Sequence, residues 1–92
     1  MNIATPELAQ SLGITEKELL YQSLKSFLQE KRREVLQARL EILSRYQTQT
    51  LSDLEDRIRQ GQVPEHPAWE DLITAENLGA RLEELDGYIR DL

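Results

Sequence analysis

The stretch TEKELLYQSLKSFLQEKRREVLQARLEILSRYQT, residues 15–48, decides the fold of this chain, because it reads as one continuous α-helix. It contains no Pro or Gly, and Leu, Glu, Gln, Lys and Arg, which favour helices, dominate it. At its start, Thr15 and Glu18 have the spacing of a capping box, and Ile14 and Leu19 flank that box as a hydrophobic staple. At a rise of about 1.5 Å per residue, this helix would be roughly 50 Å long, so a small chain can cover only part of it.

Shorter helices are predicted on both sides of the long helix. Thr5 at the N-cap and Pro6 at the first helical position predict a short N-terminal helix, which Gly13 ends in a left-handed conformation. Ser52 and Glu55 form a second capping box, which predicts a short helix through residue 60. Gly61 closes this helix, as Gly13 closes the first one.

The last predicted helix runs from about residue 67 to residue 90 and carries an apolar seam. Its seam residues alternate at spacings of four and three, as in a coiled coil: Leu78, Leu82, Leu85, Ile89 and Leu92. Gly79 lies beside this seam, where a missing side chain allows a neighbouring helix to approach. We expect this helix to pack antiparallel to the C-terminal half of the long helix, with its acidic side chains near Arg39, Arg45 or the basic cluster described below.

Together these elements predict an all-α protein with a short N-terminal helix, a long central helix, a short helix and an antiparallel C-terminal helix. Residues 1–92 fit one domain. Within it, residues 5–33 have the shape of a helix-turn-helix, and residues 34–92 form a helical hairpin with an acidic C-terminal arm. The apolar surface that so long a helix leaves uncovered predicts self-association, most simply as a homodimer.

The composition restricts the class of protein. The chain has no cysteine, so disulfides, thiolate metal sites and cysteine nucleophiles are excluded. No apolar run is long enough to span a membrane, and the N-terminus lacks the pattern of a signal peptide. We therefore expect a cytoplasmic protein with no membrane partner.

The charge is unevenly distributed along the chain. Residues 1–47 contain seven Lys or Arg and six Asp or Glu, whereas residues 48–92 contain four Arg and eleven Asp or Glu. The acidic second half is unsuited to wrapping nucleic acid. It favours pairing with basic residues of the long helix or binding a basic protein partner.

The basic cluster Lys31, Arg32 and Arg33 admits two interpretations. It is either a solvated face with Glu30 and Glu34 close by, or a patch that contacts phosphates of a nucleic acid. In the second case these three residues would be the nucleic-acid-binding site.

Trp69 and Ile73 lie one helical turn apart and off the apolar seam. They either cover Leu54 and Ile58 of the short helix, closing a small core, or form an exposed apolar anchor for a partner. An aromatic anchor with a charged rim is typical of interface hot spots. The candidate partner-binding residues are Trp69, Glu70, Asp71, Ile73 and Glu76.

No motif of catalytic or cofactor chemistry is present. His66 is the only histidine, and no Glu-x-x-His pair accompanies it on a helix as a metal site would require. Nucleophile motifs and glycine-rich phosphate loops are absent, and a thin helical assembly offers little volume to shift the pKa of a carboxylate. We expect no enzyme activity, no cofactor and no metal.

Two segments carry a family resemblance. PELAQSLGITEKELLYQSLKSFLQEKRRE, residues 6–34, resembles the helix-turn-helix portion of small bacterial antitoxins, and HPAWEDLITAENLGARLEEL, residues 66–85, looks like the acidic C-terminal helix of similar small proteins. The resemblance implies neutralisation of a partner toxin, with DNA binding by an N-terminal dimer. Ribbon-helix-helix antitoxins carry a strand before the first helix, and residues 1–4 do not predict one.

Three functions follow as hypotheses. The first is a non-enzymatic, antitoxin-like interaction module that binds a basic protein through its acidic C-terminal half. The second is a DNA-binding regulator that uses the N-terminal segment as a dimer. The third is a structural or assembly subunit of a larger complex.

Overall fold

The computed structural model describes residues 4–92, and in this part of the chain it contains four α-helices and no strand. They are α1 (Thr5–Leu12), α2 (Glu16–Arg45), α3 (Leu51–Arg59) and α4 (Glu65–Arg90). The all-α prediction is therefore confirmed, with the long central helix in its expected place. The expectation of no strand over residues 1–4 falls mostly outside the described residues. The described part is a rod with extents of 61 × 26 × 16 Å.

The N-terminus of α2 is capped by one half of the predicted capping box. The Thr15 hydroxyl accepts a hydrogen bond from the backbone N–H of Glu18 at 3.0 Å. The Glu18 carboxylate instead accepts from the side-chain amide of Gln22 at 2.9 Å. One hydroxyl is thus enough to fix the first turn, and the acid stabilises it through its position near the positive end of the helix dipole.

The C-terminus of α2 comes at Arg45, three residues before the predicted end at residue 48. Gln47 adopts a left-handed backbone with φ of 54°, and its N–H donates to the Ser44 carbonyl at 3.0 Å. Thr48 donates to the Leu43 carbonyl through both its backbone N–H and its hydroxyl. The backbone bonds from Gln47 to Ser44 and from Thr48 to Leu43 form a Schellman motif, which closes the helix without glycine.

The same motif ends the two short helices, but there the left-handed residue is glycine. Gly13 has φ of 73° after α1, and Gly61 has φ of 71° after α3. Both glycines were expected as helix terminators. The end at Gln47 was missed because no glycine marks it.

Two predicted helix starts were wrong by one or two residues. Ala4, with no side-chain cap bond among the described residues, occupies the N-cap of α1, so Thr5 is already helical. Thr50 caps α3 by accepting from the N–H of Asp53 at 3.0 Å, so the capping box proposed for Ser52 does not form. Before α3, Thr50 and Ser52 both offer a hydroxyl, and sequence spacing alone does not rank them.

The start of α4 is displaced by a non-helical residue. His66 has φ of −111° and ψ of 128°, so the regular part of the helix begins at Pro67, as predicted. The chain enters this helix along the α3 side of the molecule.

Two ion pairs show that α2 and α4 run antiparallel. Arg32 contacts Asp86 at 2.6 Å, and Arg45 contacts Asp71 at 3.3 Å. The earlier residue of α2 thus pairs with the later residue of α4, as in an antiparallel pair of helices. Arg39 lies between them, and its Nε would stand 3.7 Å from a Cβ added at Gly79. The expected antiparallel hairpin and the expected contacts of its acidic residues are present.

The main core lies at the C-terminal end of α2, where α3 and α4 meet it. Its buried members are Leu43, Leu54, Ile58, Ala68 and Leu72, with Tyr46, Leu51, Val63 and Trp69 packed against them. This junction contains five of the nine buried apolar residues within the described chain, and full burial of one large aliphatic side chain contributes about 1.5–3 kcal/mol. Further along the α4 seam, Leu85 is buried and Leu92 is exposed. The burial of apolar side chains therefore decreases toward the end of the rod away from this core.

Replacement of Gln47 by Gly is expected to raise the free energy of unfolding by about 0.5–1 kcal/mol, because glycine adopts the left-handed conformation without steric cost. Urea denaturation followed by circular dichroism measures this change.

The matched control is Gly61→Ala, which places a Cβ at a left-handed position and should destabilise the protein by about 1 kcal/mol. A lower midpoint for Gln47→Gly than for wild type would contradict the Schellman assignment at the end of α2.

Candidate functional site

Two cations of the basic cluster are neutralised within α2 itself. Lys31 Nζ lies 3.3 Å from Glu34 Oε2, and Arg33 donates a 2.6 Å hydrogen bond to Glu30 Oε1. The Arg33 guanidinium accordingly holds the pKa of Glu30 below its usual value. Lys31 also lies over the Phe27 ring, 5.5 Å from its centroid. This arrangement is the solvated, acid-flanked face that the sequence allowed.

The third cation, Arg32, joins the two long helices. Its Nε donates to Asp86 Oδ1 of α4 at 2.6 Å. The groove beside it is also lined by Arg39, Glu76 and Glu83, so both signs of charge line it. Each predicted nucleic-acid-binding residue thus has a carboxylate partner in the structure.

Trp69 and Ile73 have different surroundings. Trp69 packs against the buried core formed by α2, α3 and α4, which is the core interpretation of this residue. Ile73, one turn further along α4, is 54% exposed. The structure thus separates a pair that the sequence placed together, since Trp69 contacts the core and Ile73 lies mainly in solvent.

Asp71 points toward α2 and is used inside the molecule. Its Oδ2 accepts a 2.5 Å hydrogen bond from the Tyr46 hydroxyl and lies 3.3 Å from Arg45 Nη1. Its side chain is only 19% exposed. Asp71 was a candidate partner-binding residue, but in the structure its contacts position α4 against α2.

Burial of the phenol, and then its hydrogen bond to Asp71, raise the pKa of Tyr46 to about 12. The phenol stays neutral and donates to the carboxylate, so this contact links the C-terminal turn of α2 to α4. We assign it a structural role at the three-helix junction.

The solvent-exposed side of α4 over residues 70–84 is acidic and has one large apolar residue. We call it the acidic face of α4. It comprises the exposed residues Glu70, Ile73, Glu76, Asn77, Ala80, Glu83 and Glu84, which helical spacing of 3.6 residues per turn places side by side. Glu76 and Glu83 make no ion pair within residues 4–92.

Two other carboxylates of this face have neighbours on α4. Glu70 lies 2.6 Å from Nδ1 of the exposed His66, and Glu84 lies 3.1 Å from Arg81. The Glu70 backbone amide and His66 lower the pKa of the Glu70 carboxyl. These exposed pairs are weak, so the face stays available to a partner.

The described residues offer no metal site, since no group of three or more His, Asp or Glu side chains converges there. None of the four helices combines the length and the apolar character needed to cross a membrane. The sequence signal for the acidic face was the excess of acids after residue 48. Its outline needed the structure, because it depends on which side of α4 meets α2.

The sequence model of the uncharacterized protein MJ0235 family matches residues 1–92. The chain belongs to this family. No curated protein and no solved structure gives a significant match. The family match covers all four helices, so the N-terminal segment and the acidic arm both belong to the family's sequence. It carries no link to antitoxins, and that relationship stays a hypothesis.

Replacement of Tyr46 by Phe is expected to lower the free energy of unfolding at pH 7 by about 1–2 kcal/mol, through loss of a hydrogen bond to a charged carboxylate. The folded-state pKa lies above the value near 10 of an unfolded tyrosine. The stability from Tyr46 is therefore complete below pH 10 and is lost as the pH rises toward 12. Denaturant titrations at pH 7 and across this alkaline window measure both effects.

Tyr88→Phe is the matched control, since Tyr88 is 54% exposed. It should leave stability at pH 7 close to that of wild type. The assignment fails if Tyr46→Phe is as stable as wild type and loses stability over the same alkaline range.

Proposed function

We propose that this protein is a non-enzymatic, antitoxin-like interaction module that binds a basic partner protein through the acidic face of α4. The observation that carries the proposal is the exposed Ile73 amid four surface glutamates on a helix whose other side is fixed against α2 and α3. An apolar anchor inside a charged rim is the usual composition of a binding hot spot and its surroundings. Charge complementarity then selects a basic partner and steers its approach.

The division of carboxylates on α4 supports this proposal. Asp71 and Asp86 face α2 and pair with Arg45 and Arg32, so they hold the hairpin together. Glu70 and Glu84 pair with residues of α4 itself, and Glu76 and Glu83 line the groove beside Arg32 and Arg39 without an ion pair within residues 4–92. These glutamates therefore add little to folding. A helix that needed only to pack would not require this excess of acid on its exposed side.

The basic cluster supports protein binding over DNA binding. Its cations already have carboxylate neighbours, and phosphates of a nucleic acid would have to displace them. Each exposed pair contributes only about 0–1 kcal/mol, but the displaced carboxylates would stay beside the phosphates and repel them. The net charge of −6 adds to this unfavourable field.

The proposal includes self-association as a homodimer. The acidic face lies on α4, whereas Leu20, Leu24 and Phe27, which are left uncovered on α2, lie toward the other end of the rod. Both surfaces can thus be occupied together. A dimer would present two acidic faces to its partners.

The decisive experiment is affinity capture from the source cells with the full-length protein as bait, at several salt concentrations. Wild type should retain a small basic protein, with retention that falls as salt rises. Ile73→Glu combined with Glu76→Arg should lose about 10-fold or more of this binding, because the anchor and part of the charged rim are removed.

Leu40→Glu provides the matched control, since Leu40 is a 49% exposed leucine on α2 outside the acidic face. It should bind like wild type. The proposal is overturned if the acidic-face variant binds as well as wild type. It is also overturned if the bait retains duplex DNA instead and Lys31→Glu with Arg33→Glu abolishes that retention.

A further inference from the structure

The end of the rod away from the core exposes a group of large apolar residues. We call it the apolar end surface. It comprises Leu20, Leu24 and Phe27 of α2 with Tyr88 and Leu92 at the end of α4, which are 40–60% exposed. Leu24, Phe27, Tyr88 and Leu92 line one groove of about 490 Å³ together with Leu28 and Asp91. Leu20 continues this surface one turn before Leu24.

This surface is exposed because α4 ends before it reaches the first turns of α2. The pairing of Arg32 with Asp86 places the last residues of α4 beside Leu24 and Leu28 of α2. The first turns of α2 therefore extend beyond α4. Among the described residues α1 also contacts α2, and Leu20 is nevertheless 60% exposed.

We propose that a second copy of this chain covers the apolar end surface, so that two rods join through it. This inference locates the self-association included in the proposed function, and it rests on that part of it. The exposed apolar area of the surface and the charge around it both support a second copy as the occupant.

The exposed apolar area fits a dimer interface. An aromatic or leucine side chain presents about 200 Å² when fully exposed, so the five residues at 40–60% exposure present on the order of 500 Å². A standard interface buries about 800 Å² per partner, of which about 65% is apolar in homodimers, which is also near 500 Å². A monomer seldom leaves a patch of this size open without a function.

The charge around the surface favours a copy of the chain over a foreign partner. Residues 16–31 of α2 contain three lysines and three glutamates, and at the end of α4 Arg90 offsets Asp91, so these two segments carry no net charge. A basic partner is attracted to the acidic face of α4 and gains nothing from this neutral end. A two-fold related copy brings equal numbers of both charges together without net repulsion.

The test measures molar mass in solution by sedimentation equilibrium of the full chain. Wild type should give twice the 10.7 kDa of one chain. Leu20→Glu and Phe27→Glu each place a charge in the interface and should weaken the dimer about 100-fold or more. Because both side chains are 60% exposed in the monomer, circular dichroism should show unchanged helix content.

Ile73→Glu and Leu40→Glu are the controls, since both residues are about half exposed and lie outside the apolar end surface. Both variants should stay dimeric. A wild-type mass of one chain at all concentrations overturns the inference, as does a dimer that resists Leu20→Glu and Phe27→Glu. If wild type is monomeric and still captures a basic partner, the dimer inference fails and the acidic-face proposal stands.

Discussion

The antiparallel packing of α4 against α2 is the contact on which the rest of the structure depends. α2 is an unbroken helix of 30 residues, and the other helices are too short to cover its whole apolar side. α4 begins near the C-terminal end of α2, together with α3, and buries the core there. Its last turn reaches only as far as Leu24 and Leu28. The molecule therefore has one end with a closed three-helix core and one end with apolar side chains in solvent.

This offset also separates the two surfaces that we consider functional. The ion pairs that hold the hairpin use the carboxylates on the inner side of α4 and the arginines of α2. The exposed glutamates of α4 make no ion pair with α2 within the described residues, and Glu70 and Glu76 flank Ile73. The apolar end surface lies where α4 ends. One packing arrangement thus produces an acidic surface suited to a basic protein and a neutral apolar surface suited to another copy.

Much of the local structure follows from short-range rules. Thr15, Gly13 and Gly61 mark helix ends because one hydroxyl or one missing Cβ decides the geometry there. The start of α3 was misplaced, because Thr50 and Ser52 offer equivalent hydroxyls and short-range rules do not choose between them. Gln47 carried no signal, because its left-handed backbone is held by hydrogen bonds and not by its residue type. Of the predicted partner-binding residues, Glu70, Ile73 and Glu76 lie on the acidic face, whereas Trp69 packs on the core and Asp71 contacts α2.

By itself the sequence determined the helical class, the long central helix, the antiparallel return of the last helix and the surplus of acid in the second half. Helical periodicity and propensity act within a few residues, so they can be read directly. Only the tertiary structure decided that Trp69 packs in the core while Ile73 faces solvent, and that Asp71 turns inward. It also paired Arg32 with a carboxylate 54 positions away. The reason is physical: periodicity fixes the angles between side chains on one helix, but the neighbouring helix decides which of them become buried.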